Sequence, residues 1–104
     1  MDLKKMIFIM DDNRKPFVEK RISNSTFIRV FNHKAPEHLF KWHKDEESRT
    51  AIVLNDSDWK FQFDDDHPFE LKQGMSITIP KDCFHRVIKG TTPLWIKVTE
   101  TIEK

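Results

Sequence analysis

The sequence predicts an all-β domain whose antiparallel strands close into a sandwich or barrel. Three observations predict it. Trp59-Lys60-Phe61-Gln62-Phe63, Met75-Ser76-Ile77-Thr78-Ile79 and Leu94-Trp95-Ile96-Lys97-Val98-Thr99 alternate apolar and polar residues with the period of a half-buried strand. Clusters of Asn, Asp, Gly and Pro separate the apolar runs at near-regular intervals. The one stretch long enough for a helix, residues 38–54, is polar on every side over residues 44–50 and leaves no apolar stripe for a core.

In chain order, Met6-Ile7-Phe8-Ile9-Met10 is the longest apolar run and is expected to be a strand. It falls far short of a membrane span or a signal-peptide core, and Asp11-Asp12 follow at once. A turn over residues 13–16 precedes Thr26-Phe27-Ile28-Arg29-Val30-Phe31, which is β-branched and aromatic, as suits a strand buried on both faces. Ala51-Ile52-Val53-Leu54 reads the same way. Asn55-Asp56-Ser57-Asp58 is the turn before the Trp59 strand, and Asp64-Asp65-Asp66-His67-Pro68 is a solvated hairpin tip after it. That acidic run lacks the spaced ligands, central Gly and terminal Glu of a calcium loop. Gly74 opens the Met75 strand, Pro80 stops it, and Lys81-Asp82 turns the chain. Gly90-Thr91-Thr92-Pro93 is the turn before the last strand.

The 104 residues suit one domain, 1–104, with a single core. That core must be built from bulky rings, since the chain has nine Phe, three Trp and no Tyr in a hydrophobic fraction of 38%. Eighteen basic against seventeen acidic residues give a net charge of +1, too small to attract nucleic acid or an anionic membrane, and neither is expected as a partner. A cytoplasmic protein is expected. The single cysteine, Cys83, excludes an internal disulfide and a four-cysteine zinc site. With only Gly74 and Gly90 available, any other left-handed backbone position must be served by Asn or Asp.

Candidate chemistry begins with five histidines. His33, His38 and His67 read as structural or solvent-facing, because nothing organises them as ligands. In His43-Lys44-Asp45 an extended backbone puts the imidazole and the carboxylate on one face, and His85 follows the turn after Pro80. Lys60 and Gln62 alternate with Trp59, Phe61 and Phe63, so Gln62 is either a pocket hydrogen-bond donor or part of an exposed polar face, exposure being the default for its type. Cys83 has no third group to orient it against His85 and reads as a small, buried or half-buried residue. Trp42, Trp59 and Trp95 either pack the core, the first expectation for Trp on strands, or wall a ligand. Trp42, adjacent to His43, is the candidate ligand contact among them.

The same residues carry a family resemblance. Gly74, Pro80 and His85 stand at the spacing of the second signature motif of the cupins, with Asp82 where a second glycine is expected and Lys89 where an Asn is. The first cupin motif is matched over residues 37–56: His43 is its first His, Asp45 replaces its second His, Arg49 stands for its Glu, and Glu37 and Asp56 occupy its glycine positions. The second motif covers residues 74–89, and the two together take up about half the chain. Trp42-His43-x-Asp45, followed by Arg49 and by His85-Arg86-Val87-Ile88-Lys89-Gly90, is similar to a branch of small single-domain bacterial cupins. The resemblance implies a double-stranded β-helix, a jelly-roll barrel of two antiparallel sheets. Within it, Asp56 and Asp82 are expected to keep left-handed turns and Glu37 to be extended.

Cupins hold a divalent metal with two His and a Glu of the first motif and the His of the second. Carried over residue by residue, the resemblance leaves His43 and His85, with Asp45 as substitute carboxylate. Such a set suits Fe(II), and also Mn, Zn or Ni, with positions left open for water or substrate. The His-x-Asp…His order is similar to that of the 2-oxoglutarate oxygenases, although no basic residue is marked as the 2-oxoglutarate partner. Arg49 argues the other way, because a guanidinium has no lone pair, repels a cation and pairs with Asp45. The barrel is then a metal-free ligand-binding or sensor module. Beside a metal, Arg49 would instead hold an anionic group of the ligand. Either reading implies a small-molecule ligand. Many small cupins pair as homodimers by sheet extension, and residues 6–10 would be the strand added to a partner's edge.

Overall fold

The computed structural model describes residues 12–101, so the strand expected over residues 6–10 lies outside the described residues. Eight strands follow one another: β1 (Phe17–Arg21), β2 (Thr26–Phe31), β3 (Arg49–Val53), β4 (Lys60–Phe63), β5 (Phe69–Glu70), β6 (Ser76–Ile79), β7 (His85–Ile88) and β8 (Leu94–Glu100). They form a five-stranded sheet, β1-β2-β8-β3-β6, and a three-stranded sheet, β5-β4-β7, both antiparallel throughout. Among the described residues the only helical segment is one 3-10 turn, Glu37–Leu39. The two sheets share one core, with Phe27, Ala51, Ile77 and Leu94 of the larger sheet packed against Trp59 and Phe61 of the smaller. No helix among the described residues is long and apolar enough to cross a membrane.

Alternation along each strand decides which residues reach the interior. On β2, Phe27 and Phe31 enter the main core, while Ile28 and Val30 pack with Val18 and Trp95 in a separate cluster on the other face. This strand is therefore buried on both sides, as its composition predicts. β3 is not: Ala51 and Val53 are buried, but Ile52 is 38% exposed, so the strand alternates. On the Trp59 segment the rings point inward and the polar residues outward, with Trp59 at 0% and Phe61 at 5% exposure. Gln62 is therefore on the outer face. Its Oε1 accepts two hydrogen bonds from Arg86, Nε at 3.0 Å and Nη2 at 2.9 Å.

Three strands lack a pattern that announces them. β5 has two residues, too few for any periodicity. β1 runs Phe-Val-Glu-Lys-Arg, and its place is set by β2, against which Phe17 pairs with Phe31 and Glu19 with Arg29. β7, His-Arg-Val-Ile, is held by β4 through the Phe63 to His85 register.

The scarce glycines divide into two uses. Gly74 sits at φ +88°, a left-handed turn leading into β6. Gly90 is required by proximity, since a Cβ there would lie 2.7 Å from Trp59 Cδ1 and 2.9 Å from Trp59 N. Asp82 stands at φ +61°, so the aspartate keeps the turn its motif requires. Asp82 is the only non-glycine residue with positive φ among the described residues, so Asp56 does not adopt the left-handed turn expected of it. Glu37 begins the 3-10 turn and is not extended.

Candidate metal and ligand site

The site forms where residues 41–45 run beside the start of β7. A single antiparallel bridge joins His43 to His85, with His43 N donating to His85 O at 3.0 Å and His85 N to His43 O at 2.9 Å. Asp82 N then donates to Asp45 O at 2.9 Å, tying the left-handed turn to the same segment. Alternation aims Lys41, His43 and Asp45 at one cavity, and the outward set includes Trp42, whose ring carries the Arg86 guanidinium at 4.6 Å. Trp42, the candidate ligand contact, and Gln62, the candidate pocket donor with exposure as its default, thus meet at Arg86 on the outside of the barrel and line neither cavity of the site. Trp59 fills the core, and Cys83 is half-buried, its carbonyl engaged by His85.

His43, Asp45 and His85 each present a ligand atom, all within 4.8 Å of one another. Both imidazoles are oriented in the same way. Nδ1 of His43 lies 3.0 Å from Lys41 O, and Nδ1 of His85 lies 2.9 Å from Cys83 O. A carbonyl only accepts, so each Nδ1 carries the proton, and in the neutral ring the lone pair sits on Nε2. Those Nε2 atoms point at Asp45, His85 to Oδ2 at 3.3 Å and His43 to Oδ1 at 4.0 Å. Asp45 Oδ2 is buried and accepts no hydrogen bond. Two imidazole lone pairs and a carboxylate oxygen therefore converge without protons between them, which is the donor arrangement a cation satisfies, with backbone carbonyls fixing the rings from behind. His85 is further fixed by Phe61, stacked on it at 5.4 Å and 15°.

Arg49 does pair with Asp45, Nη1 to Oδ1 at 3.1 Å. Its other donors go to Glu100, Nε at 3.3 Å and Nη2 at 3.1 Å to Oε2, across the β3–β8 register. Glu100 also takes Arg21 Nη2 at 3.3 Å. Glu100 thus offsets the guanidinium charge that would otherwise repel a metal. Leu94, Ile96 and Val98 face inward, and two more residues of the same alternation reach Glu100. Arg29, like Glu100, escapes the sequence reading: it lies between inward Phe27 and Phe31 on β2, and both its Nε (2.9 Å) and Nη2 (2.6 Å) bond Glu19 Oε1.

A cavity of about 350 Å³ opens against this centre. Arg29, Arg49, Lys41, His43 and Asp45 form its polar wall, and Phe17, Phe31 and Phe40 stand out on the apolar one. Beneath it a tighter space of about 60 Å³, faced by His85 and by apolar core residues such as Phe61 and Leu94, continues into the barrel.

Burial, first of all, holds the His85 imidazole below its ordinary value of 6.5, and the positive fields of His43 and Arg49 act in the same direction, against the Cys83 carbonyl and Asp45. Above pH 6.5 neither folded nor unfolded His85 binds the proton, and there is no cost. As pH falls through 6.5 the unfolded chain gains a proton that the folded chain resists. Stability is expected to drop by at most about 1.4 kcal/mol per pH unit from this group until its folded pKa is passed. Urea midpoints of wild type and His85→Gln between pH 5 and 8 check this. The variant should show the shallower acid loss, and parallel curves would refute the assignment.

No family model matches the chain, and no curated protein matches it in sequence. Solved structures do match in fold. A cupin-2 domain protein from Shewanella frigidimarina is 15% identical with a TM-score of 0.64, covering 98% of this chain and 94% of the other. A protein of unknown function from Rhizobium leguminosarum is 10% identical with a TM-score of 0.71, covering 91% and 89%. A DMSP lyase from Ruegeria pomeroyi is 15% identical with a TM-score of 0.70; the match covers 89% of this chain and only half of the lyase. At these identities what is shared is the fold, and that fold is the cupin barrel.

Proposed function

We propose that this cupin-fold domain holds a divalent transition metal through His43, Asp45 and His85 and binds, or acts on, a small anionic molecule in the adjoining cavity. The observation that supports it is the buried, unbonded Asp45 Oδ2, 3.3 Å from His85 Nε2, in a carboxylate whose Oδ1 lies 4.0 Å from His43 Nε2, with the Nδ1 protons of both rings committed to backbone carbonyls. Two imidazoles and one carboxylate suit Fe(II), Mn, Zn or Ni. A metal bound there supplies Lewis-acid polarisation of a ligand oxygen and open coordination positions. The protein residues do the rest. Arg49 holds Asp45 Oδ1 and so leaves Oδ2 turned toward His85, and Glu100 offsets the Arg49 charge. His43 and His85, as ligands, are not available as a general base.

A second reading rests on the 3.1 Å Asp45–Arg49 pair, which balances the carboxylate's charge without a metal and leaves a ligand-binding module. Elemental analysis of protein purified without a His tag, after dialysis against each ion, separates the two. One metal equivalent per chain is the expected result. Protein free of metal under all four ions would overturn the first reading in favour of the second.

A further inference from the structure

Resting on the reading of the 350 Å³ cavity as the ligand site, we infer that its occupant is a monocarboxylic acid with an apolar or aromatic body, its carboxylate held by Arg29 and Lys41 and its body by Phe17, Phe31 and Phe40.

The charges point to one anionic group. Arg29 is matched by Glu19, and Arg49 with Arg21 by Asp45 with Glu100. Lys41 is the cation left over on the cavity wall, and it makes no ion pair among the described residues. Among the protein's own side chains that is one unmatched positive charge, enough to hold one carboxylate.

The geometry makes Arg29 the anchor. Both of its bonded nitrogens converge on a single oxygen of Glu19, so Nη1 has no hydrogen-bond acceptor among the described residues. The guanidinium lies 3.9 Å from the Phe17 ring centre and 5.2 Å from that of Phe27, which holds its plane in place before any ligand arrives. Its side chain is only 15% exposed, and burial pulls the guanidinium below its usual value while Glu19 opposes that pull. A buried, charged donor with a spare N–H gains most from a charged acceptor.

The rest of the wall selects the body. Phe17 and Phe31 meet edge to face at 5.7 Å, and Phe31 and Phe40 are 6.4 Å apart, so three rings on one side of the cavity offer a surface for a ring or a branched chain. A volume of about 350 Å³ lies near the lower end of small-molecule sites, which suits a body the size of one aromatic ring with a short chain to the carboxylate.

The test titrates 3-phenylpropionate, its neutral amide 3-phenylpropionamide, and acetate into the purified protein by calorimetry, with metal content measured on the same samples. Saturable binding of the acid is expected, with the amide and acetate each weaker by about tenfold or more. Arg29→Gln should bring the acid down to the level of the amide and leave the metal content unchanged. Nuclear Overhauser contacts from the ligand ring to Phe17, Phe31 or Phe40 in wild-type protein are a readout that needs no variant. An acid bound no better than its amide, acid preference retained in a folded Arg29→Gln, or absence of those contacts would overturn the inference. Acid preference in protein that holds no metal would support it while removing the metal reading.

Discussion

Replacing His85 by alanine is expected to raise the dissociation constant for the divalent metal by more than about a hundredfold. Loss of a residue that merely supports a ligand costs about 10- to 100-fold in comparable sites, and in the proposed centre His85 is itself a ligand, so that cost is a floor. It is also the better fixed of the two imidazoles. It is 4% exposed, stacked on Phe61, and tied by Nδ1 to Cys83 O, whereas the His43 side chain is 47% exposed. His43→Ala should therefore weaken the metal less than His85→Ala does. His85→Gln, which fills more of the space, separates a lost ligand from a collapsed site. Arg49→Gln gives the sharpest contrast between the two readings. With a metal at Asp45, removing a nearby guanidinium leaves affinity equal or higher. Without one, the same change leaves Asp45 and Glu100 short of their shared partner, and the protein loses stability with no metal to restore it. Equilibrium dialysis with elemental analysis, alongside urea unfolding of the same variants, reads both quantities. Metal retained at full stoichiometry in His85→Ala would sink the proposed centre.

What was legible in the sequence follows from which interactions are local. Period-2 alternation exposed β4, β6 and β8 because their outward residues, Trp95 on β8 excepted, are polar, and the spacing of Gly74, Pro80 and His85 reflects one turn whose geometry is set by its own residues. The convergence of His43 with Asp45 was legible too, being alternation over three residues. Arg29 and Glu100 were not, although Arg29 sits on an expected strand and Glu100 one residue past another. Each is a charge on an otherwise apolar inward face, and its presence there makes sense only with a partner 10 or 51 residues away, Glu19 or Arg49. Trp42 and Gln62 misled for the converse reason. Their identities suit a ligand site, but one step of pleat sends them to Arg86 outside the barrel. The aromatic wall of the cavity is made of phenylalanines from β1, β2 and the segment after the 3-10 turn, a grouping that only the sheet order creates.

That wall depends on Trp59, and Trp59→Ala is expected to cost about 3–5 kcal/mol, the range for a large ring removed from a core. The whole stability of a chain this size is about 5–15 kcal/mol, so the variant should be marginally folded. The residue is fully buried and lies 5.6 Å from Phe31 and 5.3 Å from Phe40 by ring centres, the latter edge to face. Its indole N–H donates to Thr92 O, and Gly90 has no side chain because Trp59 occupies that space. Truncation thus removes apolar area, opens a void under two cavity-lining rings, and leaves the Thr92 carbonyl without its donor. Trp59→Phe keeps most of the area and loses only the hydrogen bond and the indole's second ring, so its cost should be clearly smaller. Urea unfolding orders the three proteins. Because Phe31 and Phe40 rest on Trp59, binding of an aromatic acid should weaken in Trp59→Phe while its metal content stays constant. A Trp59→Ala protein as stable as wild type would mean that the ring does not hold the two sheets together.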